Sequence, residues 1–408
     1  MNRYVASVLP LPVGLTATLR ATLSRRRWLA AAGLTMLSSM LAACGGGDGD
    51  GAAETQKRVQ SLADGLVKQG VVGAAAAWTD SRHASGAVAG LRRLGDPAPL
   101  AVGDLMAIGS NTKAMTACAA ASVVDQGLLR WDSTLAQVLP DLAREALPAY
   151  QQATLRDLLD HRSGVMAFVG PEDVEIFVNA LGPDGLARWQ QPAEAEAVFM
   201  RWLLRRPPIR GTSVDAGFAY SNAGYALAAR MLRAATGLGW ADLLRQRVAQ
   251  PLGVSLFVGD PLRAGAQHPS GHEIVDGRLQ PLPLPQAPER VWLEILDPSG
   301  AVSATVRDDA LWLQWHLRAL RGEATPLPPS YVKGLYELGR APAGRYGLGW
   351  LVQSLHGTGW LLHNGQHGGF QALSAVALDG SRAGLAHGNV ATNESMGRLY
   401  DGVASLVA

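Results

Sequence analysis

The chain has 408 residues, 48% apolar and 17% charged, a composition that can bury a sizeable core and that excludes a largely disordered chain. Its 36 basic and 34 acidic residues give a net charge of +2, yet Arg3, Arg20, Arg25, Arg26 and Arg27 all fall in the first 43 residues, which hold no acid. Beyond them 31 basic residues face 34 acidic ones, about −3 overall, so the bulk of the chain has no basic excess for a nucleic-acid partner.

Ser24-Arg-Arg-Arg-Trp-Leu-Ala-Ala-Ala-Gly33 reads as a twin-arginine export signal, and the apolar run after it ends in Leu41-Ala42-Ala43-Cys44. That ending is similar to the lipobox of bacterial lipoproteins. Small residues at 42 and 43 admit a peptidase, and the thiol of Cys44 can take a diacylglycerol. Trp28 to Ala43 is shorter than the ~20 apolar residues that a membrane span needs. Residues 1–43 are therefore expected to be a signal and Cys44 a lipidation site. The protein would then sit as a lipoprotein on the periplasmic side of a bacterial membrane. Residues 44–53, which include GGGDGDG over 45–51, are expected to be a flexible tether. Cys118 is the only other cysteine and lies at core spacing in an Ala-rich stretch, which predicts a buried structural thiol.

Helical periodicity over Glu54–Gln69 stops at Gly70, and Val71–Trp78 and Ala84–Leu91 then read as a hairpin. Gly109-Ser-Asn-Thr-Lys113 opens an Ala-rich helix that ends at Gly127. From Leu128 to Pro298 helical segments such as Thr154–Asp160, Glu194–Leu204, Tyr225–Thr236 and Trp240–Gln250 are broken by Pro and Gly. A helix over Thr305–Leu320 precedes four β-like runs, Tyr346–Leu355, Gly359–His363, Gln371–Leu378 and Ala383–Asn389, and Glu394–Val407 closes the chain as a helix. Strands near both ends predict an α+β fold. One antiparallel sheet would be assembled from 54–127 and 299–408 and flanked by N- and C-terminal helices, with 128–298 inserted as a mainly helical domain.

A serine hydroxyl is a poor nucleophile at neutral pH and needs a base within hydrogen-bond reach. Positions three apart on a helix share a face, so Lys113 can reach Ser110. Lysine acts as a base only when burial or a neighbouring cation lowers its pKa from about 10.4. The apolar flanks Met106, Ile108, Ala114 and Met115 are suited to that desolvation.

Ile108-Gly-Ser-Asn-Thr-Lys-Ala-Met115, Leu158-Leu-Asp-His-Arg-Ser-Gly164, Tyr220-Ser-Asn222-Ala-Gly-Tyr225, Asp297-Pro-Ser-Gly300, Tyr346-Gly-Leu-Gly-Trp350 and His363-Asn-Gly365 occur in that order. Together they resemble the serine β-lactamase and penicillin-binding-protein superfamily from about residue 60 to the C-terminus. They are most similar to class C β-lactamases and the related esterases, D-aminopeptidases and D,D-peptidases. The resemblance implies that Ser110 is acylated and that Lys113 and Tyr220 share the proton transfers. Asn222 would position Lys113 and the substrate, and His363, Asn364 and Gly365 would wall the site, with Gly365 leaving room for substrate backbone. The backbone N–H groups of Ser110 and Gln366 would form the oxyanion hole. Trp350, in the Tyr346-Gly-Leu-Gly-Trp350 strand next to that wall, is expected to line it.

His363 stands where the β-lactamases resembled carry lysine. An imidazole near pKa 6.5 is mostly neutral at pH 7, so acylation by an anionic penicillin is expected to be strongest below about pH 6.5. His363 and His367 lie four apart without an accompanying acid or cysteine, so no metal and no cofactor is expected. The expected function is a serine hydrolase forming an acyl-enzyme on Ser110 with esters or D-amino-acid amide or peptide bonds. Its substrate would be a small molecule or peptidoglycan-like. The alternatives are a β-lactamase with the same residues, or a cell-envelope binding protein that keeps the fold without turnover.

Overall fold

The computed structural model describes residues 49–182, 192–209, 217–286, 289–355 and 357–408. The expected signal, Cys44 and the start of the tether lie outside them. Residues 49–53, expected to belong to the tether, form the start of the first helix, α1 (Gly49–Lys68).

In chain order the strands are β1 (Gly73–Thr79), β2 (Ala84–Gly90), β3 (Met106–Ala107), β4 (Leu256–Val258), β5 (His272–Val275) and β6 (Arg278–Pro281). They continue with β7 (Val302–Ala304), β8 (Tyr346–Gly347), β9 (Trp350–Leu355), β10 (Thr358–His367), β11 (Phe370–Ala377) and β12 (Ala383–Gly388). Among the described residues seven of these form one antiparallel sheet in the order β2-β1-β12-β11-β10-β9-β8, so the two ends of the chain meet at its middle. Ala74 pairs with Gly388 and Thr79 with Ala383 along that seam. This is the α+β architecture that strands near both termini imply.

Both faces of the sheet are covered, and the strand period of two sorts the side chains between them. Leu362 and Ala375 pack with Leu399 and Val403 of the C-terminal helix Asn393–Leu406, while their neighbours Leu361 and Val376 enter the main core. Covering on both sides explains why β11 and β12 are buried at every position instead of alternating. Ala and Gly are frequent in β1 and β12 because helices approach closely on each side.

The inserted region 128–298 is mainly helical but also contributes β4, which pairs with β7, and the β5–β6 hairpin. Its helices start where the sequence offers caps. Thr154 accepts the Asp157 N–H at 3.0 Å before the helix Leu155–Leu159, and Ser221 accepts the Gly224 N–H at 2.9 Å before Asn222–Thr236. The expected single strand over 346–355 is instead two strands. Leu348 and Gly349 have φ of 50° and 81°, which folds Tyr346 against Leu351 as a tight hairpin.

Candidate active site

Ser110 lies in a 3-10 turn, Gly109–Asn111, that runs directly into helix α2 (Thr112–Asp125). Helix α2 is apolar nearly all round and buried on every side except near its C-terminal end, as expected for a helix at the junction of two units. Tertiary hydrogen bonds fix its start. Ile108 N–H donates to Val302 at 2.9 Å, Val302 N–H donates to the Thr112 hydroxyl at 3.0 Å, and the Thr116 hydroxyl donates to the Pro298 carbonyl at 2.7 Å.

Lys113 is fully buried, and its Nζ lies 3.1 Å from Ser110 Oγ, 2.7 Å from Asn222 Oδ1 and 2.7 Å from the carbonyl of Ser299. Asn222 is oriented unambiguously, since its Nδ2 donates to the Phe168 carbonyl at 2.8 Å and leaves Oδ1 for the lysine. None of the three oxygens carries a formal charge. Burial therefore pushes the Lys113 amine well below the ordinary lysine range.

Tyr220 enters from the segment that precedes Asn222, its ring centroid 4.7 Å from Lys113 Nζ. Its hydroxyl is buried and makes no well-aligned hydrogen bond among the described residues, although Ser110 is near enough to stabilise a phenolate. Burial outweighs that contact and pushes the phenol up, so the resting side chain is the neutral phenol. Ser110, Lys113, Tyr220 and Asn222 are thus brought together from α2 and the inserted region.

The far wall is β10. The backbones of Gly109–Ser110 and Gly365–Gln366 touch. A Cβ built on Gly365 would stand 2.0 Å from the Ile108 carbonyl oxygen and 2.7 Å from Ser110 N, and one on Gly109 would stand 2.3 Å from Gln366 N. The glycine of His363-Asn364-Gly365 is therefore required by contact between two parts of the chain, not by the substrate backbone expected there. This contact brings the backbone nitrogens of Ser110 and Gln366 to the same seam. Gly349 acts in the same way behind the lysine, where a Cβ would stand 2.2 Å from Ala114 N.

Two expectations need correction. His363 is buried, its Nδ1 donating to the Asn364 carbonyl at 2.6 Å while its Nε2 accepts from the Tyr346 hydroxyl at 3.0 Å. Burial pushes this imidazole down to about 3, and Lys113 adds to that when it is protonated. It is neither free to meet a substrate carboxylate nor chargeable near pH 6.5. Trp350 does not line the site. It is 1% exposed, donates from Nε1 to the Tyr331 hydroxyl at 2.9 Å and meets His316 edge-on, so it belongs to the core. Asn364 is half-buried on the same strand. Cys118 is buried, and burial pushes its thiol up, away from reactive values.

Two participants escaped the sequence reading. The Ser299 carbonyl is a backbone atom in the quoted Asp297-Pro-Ser-Gly300 run and has no residue-type signature. His161, inside the quoted Leu158–Gly164 run, lies against Tyr220 with ring centroids 4.2 Å apart and planes tilted by 40°. Its signal was a histidine between a charged pair and no more. His161, Phe168 and Leu348 flank this site with left-handed backbones at φ 59°, 52° and 50°, a conformation that non-glycine residues hold only under constraint.

An antiparallel sheet carrying a mainly helical insert, with a serine and a buried lysine one turn apart at their junction, defines the β-lactamase/transpeptidase-like class. Residues 56–404 match the Beta-lactamase family, and the chain belongs to it. It is 28% identical to penicillin-binding protein 4 of Amycolatopsis lactamdurans, over 70% of this chain and 72% of that protein. It is 27% identical to lovastatin esterase of Penicillium rubens, over 40% of this chain and 41% of the esterase. The D-amino acid amidase of Ochrobactrum anthropi shares the fold with a TM-score of 0.63 at 22% identity, over 87% of this chain and 100% of the amidase. The chain is a hydrolase of that family.

Proposed function

We propose that the protein is a serine hydrolase that forms a covalent acyl-enzyme on Ser110 and acts on esters or on D-amino-acid amide or peptide bonds. The observation that carries this reading is the bonding of the Lys113 amine. A neutral amine has two hydrogens and one lone pair. Asn222 Oδ1 and the Ser299 carbonyl, each 2.7 Å away, can only accept and take both hydrogens, so the lone pair is left for the Ser110 hydroxyl at 3.1 Å. The amine is held neutral and aimed at the proton it must remove.

In the acylation step Ser110 Oγ attacks the acyl carbon as its proton passes to Lys113 Nζ. The carbonyl oxygen becomes an oxyanion, received by the backbone N–H groups of Ser110 and Gln366. The bond to the leaving group then breaks with a proton from the Tyr220 phenol, which Lys113 restores. A neutral phenol whose hydroxyl makes no well-aligned bond among the described residues is suited to donate that proton. Water later attacks the ester carbon, and the same groups return the proton to Ser110.

The esters and amides named for the fungal esterase and the bacterial amidase are the substrate classes this site favours. The neutral, doubly bonded His363 supplies no cation for an anionic β-lactam, which favours neutral acyl groups. The test is labelling with a fluorophosphonate probe followed by mass spectrometry. Modification at Ser110 that disappears in Ser110→Ala is expected, and an unlabelled native protein would overturn the reading. Turnover of p-nitrophenyl esters, nitrocefin and a D-Ala-D-Ala peptide then ranks the substrates, with the nitrophenyl esters expected first.

A further inference from the structure

His161 grips the Tyr220 segment at three points. Its carbonyl accepts the Ala219 N–H at 2.8 Å, its ring Nδ1 accepts the Ser221 N–H at 3.1 Å, and its ring lies 4.2 Å from that of Tyr220. The phenol is therefore carried between two backbone amides that end on the same residue. A backbone N–H only donates, so Nδ1 is bare and the imidazole proton sits on Nε2, giving the neutral tautomer. Burial, with Lys113 and His363 nearby, keeps the ring from taking a second proton.

The other nitrogen carries no bond. His272 and His316, buried elsewhere, have both ring nitrogens bonded, whereas His161 Nε2, like His387 Nδ1, is buried and finds no partner among the described residues. A histidine kept for packing alone would be replaced at no loss by a phenyl ring. Here the used nitrogen is the one that holds Ser221, and the left-handed backbone at φ 59° turns the ring toward Tyr220.

We propose that His161 is a positioning residue whose neutral imidazole, by accepting the Ser221 N–H, fixes the Tyr220 phenol against Ser110. The inference rests on the acyl-enzyme reading above. Proton transfer in that reading needs the phenol oxygen at the reacting atoms, and a displacement of about 1 Å can cost about 10²-fold in rate. The requirement is for an acceptor at the Nδ1 position on a residue that tolerates a left-handed backbone. Asparagine meets it, because its Oδ1 is an acceptor and it adopts that conformation readily. Phenylalanine keeps the ring area and loses the acceptor.

The experiment compares kcat and KM for p-nitrophenyl butyrate, and the rate of fluorophosphonate labelling at Ser110, in the native protein, H161N, H161F, Y220F and H161F/Y220F. For H161F the expected result is a fall in kcat of about tenfold or more with KM within about threefold. H161N is expected to keep about a third of the native rate or more, and H161F to cost less than about twofold when added to Y220F, because it acts through the phenol. A native kcat in H161F, equal damage in both His161 variants, or full additivity with Y220F would overturn the positioning role. If H161F does not fold, H161N decides alone, and a rate below about a third of native counts against the role. A native protein that neither turns over the ester nor labels at Ser110 removes the hydrolase reading itself, and indifferent His161 variants in a labelled protein remove only this one.

Discussion

Lys113 and His387 are both fully buried bases, and the fold treats them differently. His387, in β12, meets the carboxylate of Asp309 at 2.8 Å, with both side chains almost completely enclosed. Lys113 has three oxygen neighbours and, among the described residues, no counter-charge. A carboxylate is the usual way to make a buried base tolerable, because the pair offsets part of the desolvation of each member. Leaving it out forces the amine to neutralise, and neutrality is what nucleophile activation requires. On the proposed acyl-enzyme reading, the difference marks which of the two bases is placed for stability and which for chemistry.

The largest effect that sharpens this contrast comes from Lys113→Met. Removing the base should lower kcat for p-nitrophenyl butyrate by about 10³-fold. Stability should respond through its pH dependence. The unfolded chain carries Lys113 protonated up to about pH 10.4 while the folded chain keeps it neutral, so the native protein gains stability as pH rises and loses it as pH falls. Relative to Lys113→Met, the native protein should therefore gain stability as pH rises from 7 to 9.5 in urea titrations, by up to about 1.4 kcal/mol per pH unit. A constant difference across that range would mean that the folded lysine is charged. The offset at any one pH is harder to sign, because methionine also strands Asn222 Oδ1 and the Ser299 carbonyl, each costing about 1–3 kcal/mol.

Asp309→Ala tests the other base. It removes the hydrogen-bond partner of His387 Nε2, and stranding a buried polar group in this way should cost about 1–3 kcal/mol in urea denaturation. Replacing both members, with His387→Leu added, should recover more than half of that loss. The rate of Ser110 labelling per folded molecule should stay native in both variants. A labelling rate that fell with Asp309→Ala would end the division between a base for stability and a base for chemistry.

The parts of this arrangement that the sequence made legible are those governed by local geometry. Ser110 and Lys113 share a helix face because they are three apart, and Gly70 and Gly127 end helices where the backbone turns left-handed. Tyr220, Asn222 and the His363–Gly365 strand became legible through resemblance, since no periodicity joins segments more than 100 residues apart. What stayed hidden is set by tertiary contact. Trp350 is expected on a strand next to the wall but faces the core, because Leu348-Gly349 folds that strand into a hairpin. A strand residue's face cannot be assigned before the turn that sets its register is known. His363 could be placed on the wall, but its neutrality depends on Tyr346 and on burial, which residue type does not encode. Asp309 and His387, 78 positions apart, have no pattern that joins them.

The smallest effect concerns the remaining buried bases without carboxylates. His316 is enclosed by Trp312, Tyr331 and Trp350, with its Nδ1 donating to the Trp312 carbonyl at 2.9 Å and its Nε2 3.1 Å from the Tyr331 hydroxyl. Burial pushes it down to about 4 and His363 to about 3. In each case the unfolded chain binds a proton as pH falls through about 6.5 and the folded chain does not, so stability is full above that pH and declines toward pH 4. Each such histidine should steepen the decline by about 1.4 kcal/mol per pH unit. His316→Leu should therefore flatten the native curve by one proton between pH 6 and 4.5 while leaving ester turnover near native at pH 7. An unchanged slope would show that His316 takes its proton in the folded state, and burial without a carboxylate would then not be enough to hold a base neutral in this core.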